Sequence, residues 1–101
     1  VVLATLVLLA GSSGDPPRPT SNGTAGGCVQ WQTEAKWSGF GYNHLVHLKS
    51  ECGKTMTCEV TTDVNPEVTT AKVAPGKKKT VTTFVGSPAS EFSATVACTE
   101  I

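Results

Sequence analysis

The sequence predicts a small antiparallel β-sandwich of immunoglobulin-like or Greek-key type, with about six or seven strands and disulfide staples. Three observations predict it. Short Thr- and Val-rich runs alternate apolar and polar residues. Turn signals separate these runs at intervals of about 12 residues, the spacing of a sandwich or barrel. Four cysteines, Cys28, Cys52, Cys58 and Cys98, all fall in the same stretch.

The composition supports the same reading. The chain has 101 residues, a single-domain length. Charged residues make up 16% of it, below the roughly 25% usual in soluble domains. Thr and Val are β-branched and stiff at χ1, and they fit a half-buried pleated surface. Eight Lys and Arg balance eight Asp and Glu. Nucleic-acid binding needs a basic surplus on one face, so no nucleic-acid partner is expected. The one basic run, Lys77-Lys78-Lys79, follows Pro75-Gly76 and reads as a solvated turn.

The N-terminal segment reads as an address. Residues 1–10, VVLATLVLLA, are apolar apart from Thr5. They are too short to span a bilayer, which takes about 20 residues. They suit the apolar region of a signal peptide, and Ala10-Gly11-Ser12-Ser13-Gly14 offers a small-residue cleavage site. The expected boundaries are a truncated leader over 1–13, a flexible linker over 14–27 and the sandwich over 28–101. The linker, rich in Pro, Gly, Ser and Thr, lacks the apolar surface to offset its ordering entropy. A lipidated Cys must follow the leader directly, and Cys28 stands too far away. Asn22-Gly23-Thr24 matches a glycosylation sequon, which has meaning only in a eukaryotic secretory route. The expected location is secreted, periplasmic or cell-envelope, and not integral to a membrane after processing.

An even cysteine count behind an export leader implies disulfides. Of three connectivities the expected one is Cys28–Cys98 with Cys52–Cys58. The first would join the opening and closing strands, and the second would close a hairpin over five residues. Roughly 75 residues make a thin core that benefits from such links. Zinc ligands come in close matched pairs, and the C-x5-C spacing has no second pair. No metal or other cofactor is therefore expected.

Strands are expected near 28–33, 43–50, 55–62, 67–74, 79–85 and 91–99. Alternation places Met56, Cys58 and Val60 on one face of the third, and Phe92, Ala94, Val96 and Cys98 on one face of the last. Val46 and Leu48 share a side of the second strand while Leu45 takes the other, as in a central strand or one with a partly covered outer face. The connections are too short for helical crossovers, so pairing is antiparallel.

No catalytic site is expected. His44 and His47 are three apart, which on a strand turns them to opposite faces. No nucleophile elbow and no phosphate-cradling glycine loop occurs. The informative cluster is aromatic: Trp31, Trp37, Phe40 and Tyr42 lie within twelve residues, interleaved with Gly39 and Gly41. Exposed, such rings stack on sugars or anchor a protein partner. Alternatively Trp31 or Trp37 plugs the core, as one Trp does in many sandwiches. If Cys28 points inward, parity turns Trp31 outward or toward a second layer.

Across the last half of the chain the residues C-G-K-T-M-T-C-E-V-T-T-D-V-N-P-E, V-A-P-G, V-T-T-F-V-G-S-P-A-S-E-F and V-A-C form a recurring pattern of turns. The pattern resembles a group of small exported proteins of bacteria such as myxobacteria. The resemblance implies a β-sandwich and bacterial export, and it carries over no functional residue. The functional expectation is a non-enzymatic exported domain that binds a protein or glycan, with Trp37, Phe40, Tyr42 and Trp31 as candidate contacts. The alternative is a small secreted hydrolase inhibitor presenting Val64-Asn65-Pro66-Glu67 or Ser87-Pro88-Ala89 as a rigid loop.

Overall fold

The computed structural model describes residues 21–101, and within them all regular structure is β. Seven antiparallel strands form two sheets. They are β1 (Asn22–Ala25), β2 (Val29–Trp37), β3 (Tyr42–Ser50), β4 (Met56–Thr62), β5 (Thr69–Val73), β6 (Lys78–Ser87) and β7 (Ala94–Glu100). One sheet has the order β1-β2-β3-β6 and the other β5-β4-β7. The expected leader and residues 14–20 of the expected linker lie outside the described residues.

Two neighbour pairs are distant in sequence, β3 with β6 and β4 with β7. The chain crosses between sheets three times, from β3 to β4, from β5 to β6 and from β6 to β7. These crossings tie the layers together, as connections in Greek-key sandwiches do.

The core follows from period-two alternation. Val29, Val46, Leu48 and Val81 of the larger sheet face Met56, Cys58, Val60, Ala71, Val73 and Cys98 of the smaller one. Leu45 takes the outer face of β3, which is central between β2 and β6. Register shifts between β3 and β6, from Tyr42 to His44 and from His44 to Leu45, bulge β6 at one end. The close approach there needs glycine both before β3 and within β6. A Cβ on Gly41 would stand 2.7 Å from the backbone carbon of Gly86, itself at φ +75°.

The structure corrects the linker. Residues 22–25 form a strand, where composition predicts a tether through 27. Gly26 and Gly27, at φ +61° and +79°, close a tight turn, with the Cys28 N–H donating to the Ala25 carbonyl at 3.3 Å. Ser21 is held as well. Its carbonyl accepts from the Thr33 N–H at 2.9 Å, and its hydroxyl accepts from the Ala94 N–H at 3.2 Å.

The disulfides are also corrected. The bonds are Cys28–Cys52 and Cys58–Cys98, not Cys28–Cys98 and Cys52–Cys58. Cys52 follows β3 of one sheet while Cys58 sits within β4 of the other, so no hairpin joins them. Cys58 and Cys98 are register partners on β4 and β7, with Cα atoms 4.0 Å apart and both side chains in the core. Cys28 lies beside the ladder of β2 and β3, where the Glu51 N–H donates to its carbonyl at 2.8 Å. Among the described residues no cysteine is free. Two such bonds are consistent with an oxidising compartment.

Candidate functional site

The hairpin joining β2 to β3 forms one end of the sandwich. Its loop is only Gly39-Phe40 between Ser38 and Gly41, whose carbonyl accepts both the Ser38 N–H at 2.8 Å and the Ser38 hydroxyl at 2.9 Å. A loop this short cannot fold back over its own side chains. Phe40 is 78% exposed and lies against Gly86, where a Cβ would come within 3.2 Å of the ring. Trp37 and Tyr42 are the last register partners of β2 and β3. Their rings meet edge to face at 5.0 Å, an arrangement favoured by the ring quadrupoles. Trp37 is 59% exposed and Tyr42 half-buried. Val85, at the bulged end of β6, is 61% exposed. Three of the four candidate aromatics thus share one end with an exposed valine.

Trp31 lies elsewhere. It is half-buried and packs against the core, with its indole close over Gly23 of β1. The parity argument from Cys28 fails because Cys28 belongs to the turn, and the alternation of β2 begins at Val29.

A polar framework supports the aromatic end. His44, fully buried, projects inward from β3. Its Nε2–H donates to the Ala89 carbonyl at 2.8 Å, and its ring stacks on Phe92 at 4.1 Å with a 12° tilt. Nδ1 is buried without a hydrogen-bond partner among the described residues. These contacts fasten the connection from β6 to β7 over the inner face. Asn65 does the same for the connection from β4 to β5. Its side-chain N–H donates to the Thr83 carbonyl while its Oδ1 accepts the Glu67 N–H at 3.0 Å. Asp63 and Ser93 exchange two further bonds, at 2.9 and 3.0 Å.

The two loops of the inhibitor reading are placed by this framework. Val64 packs against the core, and Asn65 turns its side chain to β6, leaving Pro66 and Glu67 outside. Ser87 is buried, and its hydroxyl accepts the Ala89 N–H at 3.0 Å.

His47 faces away from His44, as strand alternation requires. On the outer face of the larger sheet it bridges two neighbours. Nε2 meets Glu34 Oε1 at 2.8 Å and Nδ1 meets Thr80 Oγ1 at 2.9 Å. Sequence reasoning missed this line because Glu34, His47 and Thr80 come from three strands whose adjacency only the fold sets. Among the described residues no group of three His, Cys, Asp or Glu side chains is placed to hold a metal ion. No described helix is long and apolar enough to cross a membrane.

No protein-family model, curated protein or solved structure matches this chain.

Proposed function

We propose that this chain is a non-enzymatic recognition domain of an exported bacterial protein, and that it grips a protein partner with its aromatic end. The observation that carries the reading is the joint exposure of Trp37, Phe40 and Val85 at one hairpin end braced by polar clamps. Exposed large apolar side chains grouped on a small domain mark interaction surfaces, and Trp and Tyr dominate binding hot spots. Rings exposed on a short hairpin loop suit insertion into a cleft of the partner. Rigid aromatics on a short loop lose little conformational entropy when they bind. The two disulfides and the apolar leader support export. The inhibitor reading has less in its favour, because the side chains of Val64, Asn65 and Ser87 are committed to the fold.

The test is capture from a native bacterial envelope fraction with the wild-type domain and with Trp37→Ala/Phe40→Ala. A specific protein retained by the wild type and lost from the variant supports the reading. Equal retention by both, or retention of glycan alone on an array, overturns it.

A further inference from the structure

A second surface is built differently. The outer face of the β1-β2-β3-β6 sheet holds a groove of about 600 Å3 that crosses all four strands. Its walls are the residues alternating with the core positions of each strand: Asn22, Gln30, Gln32, His47, Lys78 and Thr80. The volume falls in the range of small-ligand sites, about 300–1,000 Å3.

The chemistry of the lining selects a ligand. Among the described residues, the side chains of Asn22, Gln30 and Gln32 have no hydrogen-bond partner in the protein. Each amide offers donors and an acceptor side by side, the complement of neighbouring sugar hydroxyls. No carboxylate lines the groove. The two acids beside it are already engaged: Glu34 holds His47, and Glu51 pairs with Lys49 at 3.3 Å. Lys78, on the outer side of β6, therefore stands at the rim without an ion-pair partner among the described residues. Both ring nitrogens of His47 are engaged, so it serves as a fixed wall. Nucleic acid fits poorly. The chain has no net charge, and Trp31, the one aromatic at the groove, turns its ring toward the core and offers no stacking face.

We infer that this groove binds an acidic oligosaccharide. Lys78 holds its carboxylate or sulfate, and Asn22, Gln30 and Gln32 hold its hydroxyls. The site is independent of the aromatic end.

Calorimetric titration with short oligogalacturonates, a sulfated glycosaminoglycan fragment and neutral cello-oligosaccharides tests this, with amide NMR locating the contact. At least one acidic probe should bind and shift the side-chain amides of Gln30 and Gln32. Affinity should fall about tenfold or more in Lys78→Glu and in Gln30→Ala/Gln32→Ala, and it should weaken with added salt. Trp37→Ala/Phe40→Ala should bind as the wild type does. An unchanged thermal midpoint would show that the groove variants are folded. Preference for the carboxylated or the sulfated probe identifies the acid. Silence with both acidic probes overturns the inference. So does equal binding of the neutral probe, or tighter binding of a single-stranded oligonucleotide.

Discussion

The two ends of the sandwich are held by different chemistry. At one end lie both disulfides, at the close of β3 and within the β4–β7 pair. At the other lie the hairpin aromatics, held by the buried imidazole of His44, the amide of Asn65 and the Asp63–Ser93 exchange. Covalent links constrain the unfolded chain, whereas the polar clamps act only in the folded state. The difference suggests a division of labour. The cross-linked end secures the fold and leaves the opposite end free to expose apolar rings that a thin core could have used.

Replacing Cys58 and Cys98 together by Ala should have the largest effect. The 40-residue separation they close corresponds to about 4 kcal/mol in the loop-entropy picture, against about 3.5 for the 24-residue separation of Cys28 and Cys52. Chemical denaturation of both double variants measures the order. If removing the Cys28–Cys52 bond proved costlier, the stapling would centre on the end of the larger sheet and not on the core.

His44→Ala comes next. It removes a fully buried ring, a stack on Phe92 and the bond to Ala89, a loss of about 3 kcal/mol. Amide exchange should quicken first over the connection from β6 to β7. Uniform quickening across both sheets would instead mean that the clamp holds the whole domain and not one end.

Trp37→Ala/Phe40→Ala should be the mildest for stability, within about 0.5 kcal/mol for each site, because both rings are largely exposed. A thermal melt checks this. A large drop would place the rings in the supporting framework and sharpen the contrast against a recognition role.

Much of this architecture was legible locally. The inward faces of β4 and β7 follow from alternation alone: Met56, Cys58 and Val60 are buried, and Ala94, Val96 and Cys98 share the inner side. β1 was not legible, because Asn22–Ala25 carries no strand-forming apolar run. Its one local signal is the Gly26-Gly27 pair, a hairpin turn signature. For the candidate site, the crowding of Trp37, Phe40 and Tyr42 was visible in the sequence. Their exposure was not, because it depends on their standing at the very end of the β2–β3 ladder.

The sequence by itself determined the β class, the strand faces and the divergence of His44 from His47, because a period of two residues is a property of adjacent positions. Only the tertiary structure decided which cysteines bond, what His44 touches and how Glu34, His47 and Thr80 align beside a groove. Each of these depends on strands brought together from distant parts of the chain by the sheet crossings. Nothing in the spacing of residues along β3 says that β6 lies beside it.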